Sequence, residues 1–296
     1  MQTSQFDLSV IVRTNGRSPQ FLRRALGSII AQTRLPAMIV VVNDSSDGAL
    51  IKAELGQIDF RGISWQYLPR DVAIQPQPNR STALNRGLAA AGTCWISFLD
   101  DDDTWMPQFL ERVGSLLAVV EQRPDFGGVV TQTQTVEERL EAGVVVEKLR
   151  RPFNPGLLAV DLALLAKGNR FTLNSMVVNR EVFASVGAYR DDLPVLEDWE
   201  FNVRAAAHFH FEVIPEALVC YHLRPSNDAT ANTSLIEHRR VKRMIQNEWL
   251  RHDRAAGRHG LGQLAWAGEI RGLRVVLDSG RAWRDRIRCW LGRPAQ

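Results

Sequence analysis

The sequence predicts an α/β fold: a Rossmann-like, mostly parallel central sheet flanked by helices, with a helical C-terminal extension. Three observations predict it. Strand-like apolar runs alternate with stretches of helical periodicity through the first 120 or so residues. Two of those runs are apolar, 38–42 continuously and 95–99 but for Ser97, as strands covered on both faces are. Both end in acids, at Asp44 and at the four consecutive carboxylates Asp100 to Asp103. Open α/β sheets bind ligands outside the carboxyl ends of their strands.

Residues 8–13 read as the first strand, and Thr14-Asn-Gly-Arg17 as a turn. Ser18 and Pro19 then offer a cap and a first helical residue. The helix runs to about residue 32, with Phe21, Leu22, Ala25, Leu26, Ile29 and Ile30 as its stripe. A short helix and a strand near 64–68 follow the second strand, and Pro76 and Pro78 punctuate a loop. A helix over 79–91 leads into the central strand 95–99, and another begins near Pro107. Beyond about residue 124 the pattern becomes α+β and completes the same sheet. Strands are expected at 127–134 and 143–149 around a polar hairpin, then a mobile loop at 150–156, a helix at 157–166 and a strand at 171–178. A helix at 196–207 and short strands at 211–214 and 217–221 close this half. From about 235 the text is helical, so the expected division is 1–235 and 236–296, with the first part split near 124.

With 296 residues, 45 % of them apolar, a sizeable core is available. Residues 236–296 carry 14 Lys and Arg against 6 Asp and Glu, while residues 1–235 carry 22 against 27. A mildly acidic body argues against a nucleic-acid partner. Cys94, Cys220 and Cys289 show no zinc spacing and suit a reducing compartment. With no leader-like start and no run of about 18 apolar residues, the expectation is a cytoplasmic chain.

Four adjacent acids repel one another unless a cation or water reaches them. Hard carboxylate oxygens suit Mg²⁺ or Mn²⁺, which take one or two carboxylates plus substrate phosphates. The plainer alternative is an acidic turn capping the next helix. Asp44 is placed to bond a ribose hydroxyl or a base edge, or is simply a turn residue. Thr14 and Asn15 fall on the same sheet edge, and Asn85 lies on the helix entering the central strand. Glu197-Asp-Trp-Glu200 opens a helix, where the macrodipole favours negative charge. One acid group to hold a metal and another to take a proton is what transfer from a phosphate leaving group requires. His222, at a strand end, is either a structural histidine or a third metal ligand.

These stretches together resemble the family 2 glycosyltransferases of the GT-A fold. Residues 8–15 resemble the family's opening strand and turn, 25–32 its first helix, and 40–47 its nucleotide-binding strand end. Asn85-Arg-Gly87 followed by 96–103 resembles the helix leading into the DxD motif, and Glu197-Asp-Trp-Glu200 the motif holding the catalytic base. The likeness runs over about 8–225, making 1–124 the nucleotide-binding half and 125–235 the acceptor half. It implies inverting, metal-dependent transfer of a hexosyl group from a nucleotide-diphosphate sugar, a UDP-sugar favoured, to a glycan or lipid-linked acceptor. Asp198 would be the base, with Glu197 beside it. Asp100, Asp102 and His222 would hold Mg²⁺ or Mn²⁺, and Thr14, Asn15, Arg17, Asp44, Asn85, Asp100 and Asp101 the donor. A frame shift within the four acids leaves Asp101 and Asp103 as the alternative pair. The family's aromatic residue before the turn asparagine is absent here, which leaves the nucleobase open.

Two rival readings remain in the sequence. One is a nucleotide-sugar-binding module without chemistry. The other is a Mg²⁺-dependent phosphohydrolase built on Asp100-x-Asp-x-Thr104. In the basic tail, Trp283, Ile287, Trp290 and Leu291 share a helical stripe, with Arg281, Arg284, Arg286 and Arg288 largely off it. Such a helix suits peripheral contact with the inner membrane face, or packing against the domain or a partner.

Overall fold

The computed structural model describes residues 5–16, 18–45, 48–73, 75, 77–120, 123–224 and 235–267. Strand β1 (Phe6–Thr14) leads to helix α1 (Pro19–Ile30), β2 (Pro36–Asn43), α2 (Ala49–Leu55), β3 (Ser64–Leu68), α3 (Arg80–Ala90) and β4 (Trp95–Asp100). The second half holds β5 (Thr104–Trp105), α4 (Phe109–Val120), β6 (Phe126–Glu141), β7 (Val144–Pro152), α5 (Leu162–Lys167), β8 (Met176–Asn179), α6 (Arg180–Val186), α7 (Glu197–Ala206), β9 (His210–Leu223) and α8 (Leu235–Ala255).

Among the described residues these strands form one sheet in the order β3-β2-β1-β4-β8-β6-β9-β5, with β7 attached to β6. The first four pair in parallel, as expected. The second half is mixed: β8 runs antiparallel between β4 and β6, and β6 pairs in parallel with β9. Strand β5 follows β4 after three residues yet lies four places along the sheet. A flat sheet would separate the two by roughly 19 Å at the usual strand spacing. The connecting chain reaches roughly 14 Å at most. The sheet therefore curls, and its far edge returns over the end of β4.

Both faces are covered. Leu8, Val10 and Val12 of β1 pack towards α1, α2 and α4, while Ile11 packs towards α3, α6 and α7. All four are fully buried, and each contributes about 1.5–3 kcal/mol by leaving water. Helix α3 comes close because of Gly87, where an added Cβ would stand 2.3 Å from Ile11 Cγ2 and 2.9 Å from Val42 Cγ2. Asn79 caps that helix, accepting from Thr82 N at 2.9 Å.

Several boundaries differ from the sequence expectation. The two short strands at 211–214 and 217–221 are one strand, β9, with a register shift around Pro215, which has no N–H to give a ladder. The loop expected to be mobile continues β7 to Pro152. Beyond it the chain is pinned: Gln132 Nε2 donates to Pro155 O and Leu157 O, and Asn154 bridges Thr133 N and Arg170 O. The helix expected over 157–166 is α5 alone, capped by Asp161. Helix α8 packs Val241 and Ile245 into the core, and Trp249 meets Trp199 at 5.3 Å, so the first part of the expected extension packs into the main body. Arg17 and the stripe from Trp283 to Leu291 lie outside the described residues.

Candidate active site

The register of the sheet builds one end of the site. Arg13 pairs with Val42 on one side and Asp100 on the other, so the ends of β1, β2 and β4 lie level. Asp44 is buried and fully engaged. Its Oδ2 accepts from Arg13 Nη2 at 2.7 Å, and its Oδ1 from Gln75 Nε2 and Asn79 N at 2.9 Å each. Thr14 Oγ1 donates to Asp101 Oδ2 at 2.6 Å and accepts from Gly16 N. Burial, the charge of Asp102 and that of Asp100 push Asp101 up to about 6, against the hydrogen bond from Thr14 and the charge of Arg13. Asn15 stands half-buried beside Thr14.

A cleft of about 460 Å³ opens at this strand end. Asp100, Asp102 and Asp103 line it from one side, Glu197 and Asp198 from the other, and Arg13 and Arg80 stand in it. Arg80 spans the two acid clusters, with Nη2 2.6 Å from Asp100 Oδ2 and Nε 3.1 Å from Glu197 Oε1. Burial raises the Glu197 carboxyl above its ordinary value; Arg80 opposes this and neighbouring Asp198 reinforces it. Helix α7 presents both acids from a strained start. Leu196, just before it, sits at φ +67°, a left-handed conformation that a branched side chain adopts at a cost and that clusters at functional sites.

Asp198 is held at both oxygens. Trp199 N donates to Oδ1 at 2.7 Å and Asn169 Nδ2 to Oδ2 at 3.0 Å. The Asn169 carbonyl oxygen accepts from Arg170 N and Asn202 Nδ2, which fixes which end of the amide faces Asp198.

The remaining acids are anchored across the fold. Asp103 accepts from Asn174 Nδ2 at 2.7 Å and His222 N at 2.9 Å, and burial with the charges of Asp102 and Asp100 raises its pKa well above the ordinary range. Asp102 pairs with Arg224, whose other nitrogen bonds Glu138 at 2.8 Å. Glu138 also binds Arg24 at 2.7 Å and His222 Nδ1 at 2.9 Å. The Phe21 ring lies against both guanidiniums, 4.4 Å from that of Arg224 and 5.3 Å from that of Arg24. Burial alone would raise Glu138; bonds from His222 and Arg24 outweigh it and hold the carboxyl at about 2. Burial in turn lowers His222, so at neutral pH the ring is uncharged and donates Nδ1–H, and the two arginines supply the opposing charge.

Two expected site residues have other partners. Asn85 does not line the cleft: its amide clasps the backbone of Tyr189 from both sides, at 2.8 and 3.0 Å. His222 has Glu138 on one ring nitrogen and Thr104 Oγ1, at 3.0 Å, on the other, a hydrogen-bonding rather than a coordinating arrangement. Sequence reasoning missed Arg80, Arg224, Glu138, Asn169 and Asn174. Only Arg224 carried a signal, two residues beyond His222 and one past the end of β9, where continued alternation puts it on the same side.

The residues present fit a divalent cation. Asp100 and Asp102 share the cleft, and Asp100 Oδ1 is buried without a hydrogen bond, with Arg13 Nη1 3.8 Å from it. Among the described residues no three His, Cys, Asp or Glu side chains converge on one point, so such an ion would complete its shell with substrate oxygens and water.

A curled mixed sheet with acids from a central strand end and a helix start facing one cleft has the GT-A type of fold. Residues 9–131 match the family described as Glycosyl transferase family 2. Over those residues the chain is similar to the family 2 glycosyltransferases. It is 24 % identical over 260 residues to the uncharacterized glycosyltransferase YwdF of Bacillus subtilis, covering 87 % of this chain and 85 % of that one. Among solved structures, TarS of S. aureus (residues 1–349, with UDP-GlcNAc) superposes with a TM-score of 0.58 at 19 % identity, over 83 % of this chain and 67 % of that one. The match spans 40 % of the longer TarS chain. The mannosyltransferase PcManGT of Pyrobaculum calidifontis, with GDP-Man and Mn²⁺, gives 0.57 at 16 %, over 95 % and 81 %.

Proposed function

We propose that the protein is an inverting glycosyltransferase that moves a hexosyl group from a nucleotide-diphosphate sugar to an acceptor hydroxyl. One observation carries this reading: the strand-end acids Asp100 and Asp102 and the helix-start acid Asp198 line the same cleft, about 460 Å³ in volume. The acceptor oxygen attacks the anomeric carbon from the face opposite the diphosphate. The C1–oxygen bond to phosphate breaks, the acceptor proton passes to Asp198, and the nucleoside diphosphate leaves with the bonding pair. Asn169 holds Asp198 at Oδ2 while that proton moves. Asp100 and Asp102 would hold Mg²⁺ or Mn²⁺, which neutralises charge on the departing diphosphate. Arg13 and Arg80 add positive charge on the same side of the cleft. Thr14, Asn15, Asp44 and Asp101 frame the nucleoside end.

A UDP-sugar is the favoured donor, in keeping with the UDP-GlcNAc complex of TarS, while PcManGT binds GDP-Man and Mn²⁺. The acceptor is a glycan or a lipid-linked glycan of polysaccharide or glycoconjugate synthesis. The basic tail brings the enzyme to the inner face of the membrane from the cytoplasm. No helix among the described residues is long and apolar enough to cross a membrane. The test is incubation with a panel of UDP- and GDP-sugars and Mg²⁺ or Mn²⁺, scoring nucleoside diphosphate release. Release from one UDP-sugar, abolished by EDTA, is the expected result; release from none of them, with either metal, refutes the reading.

A further inference from the structure

A second chamber opens behind Asp198, and the activity proposed above does not account for it. It holds about 400 Å³, within the range of small-molecule sites, and is lined by the pinned loop after β7, by α5 and by residues 169–171. Phe153, Asn169 and Phe171 line both this chamber and the cleft, so the two meet at the residue that holds Asp198.

The walls have two kinds of chemistry. Leu157, Leu165 and Phe171 are buried and give an apolar floor. Phe153 at the mouth is 42 % exposed, and its ring meets Tyr221 of the cleft edge-on at 6.3 Å. Arg170 is exposed at the rim, and its guanidinium makes no hydrogen bond or ion pair among the described residues. An apolar floor, an aromatic at the mouth and a few polar groups at the edge suit a ligand with one apolar and one hydroxylated face. A pyranose ring is such a ligand. The shape is preformed, because Gln132 and Asn154 tie the loop to β6.

We infer that this chamber is the acceptor subsite, and that it takes a hexose ring whose reacting hydroxyl reaches past Asn169 to Asp198. The inference rests on the assignment of Asp198 as base and adds the place and chemical class of the acceptor.

The test uses the full chain with UDP and Mn²⁺ and, as probes, a panel of methyl hexopyranosides observed by saturation-transfer NMR. At least one glycoside is expected to receive saturation on its ring protons. Ala159→Trp, which fills the chamber without touching the cleft, is expected to cut that signal about tenfold or more while UDP affinity by calorimetry stays within about twofold. Leu164→Arg, on an exposed chamber residue, is the second blocking variant and is expected to act alike. UDP binding with no glycoside signal in the parent overturns the chamber assignment and leaves the donor reading standing. An undiminished signal in either blocked variant that still binds UDP overturns it too. A parent that binds neither UDP nor GDP in the presence of Mn²⁺ instead removes the donor reading on which the inference rests.

Discussion

Asp198 takes hydrogen bonds from a backbone amide one residue away and from an asparagine 29 positions upstream. The first comes with the helix; the second requires the segment at residue 169 to pack against that helix. Asp198→Asn keeps the shape and removes the base, so transfer is expected to fall by about 10²-fold or more while UDP affinity is kept. Glu197→Gln is expected to be milder, since Glu197 faces Arg80. A dead Glu197→Gln beside an active Asp198→Asn would exchange the two roles. Asp102→Ala is expected to abolish metal-dependent UDP binding in calorimetry. It also costs stability, because it takes one carboxylate from the buried Arg224, and a lowered thermal midpoint tests that. Asp102 was legible as a site residue because a run of acids after an apolar strand stands out in any sequence. Its partner was not, because Arg224 lies 122 residues away and nothing local marks the pair.

Strand β6 was expected to end near residue 134 and instead runs to Glu141, which places Glu138 among Arg24, His222 and Arg224. The sequence 135–142 reads as a polar hairpin because its charges are visible and their burial is not; Glu138 is only 2 % exposed. Its carboxyl titrates near 2 in the folded chain against 4.5 ordinarily. A depressed acid stabilises the fold fully above its unfolded value, and that contribution drains away as pH falls from about 4.5 towards 2. Glu138→Gln leaves the buried Arg224 and the half-buried Arg24 short of a charge, an effect of roughly 3 kcal/mol at pH 7. The gap in thermal midpoint between parent and variant is expected to narrow measurably from pH 7 to pH 3.5; a constant gap would show that charge plays no part. Helix α3 tests packing without charge. Gly87→Ala drives a methyl into Ile11 and Val42, and a loss of about 1–3 kcal/mol in urea unfolding is expected.

At the scale of the molecule, the alternating first half was legible because local periodicity is enough to mark parallel strands and their crossovers. The mixed second half was not, since the order β4-β8-β6-β9 depends on contacts between distant segments. The basic tail is tested by co-sedimentation with anionic liposomes. The full chain is expected to pellet and a chain truncated after Gly280 to stay in solution; equal pelleting removes the membrane role. The curl of the sheet also has a consequence for synthesis. The four acids leave the ribosome well before Arg224, whose pairing with Asp102 spans 122 residues. At about 5–20 residues per second that interval is roughly 6–24 s. Throughout it the nascent first half carries its acidic strand end without the Arg224 and Asn174 side chains that later neutralise or bond it. In that half alone Asp100 keeps Arg13 and Arg80, whereas Asp102 and Asp103 wait for Arg224 and Asn174, and the set of contacts is complete only when β9 is laid beside β6.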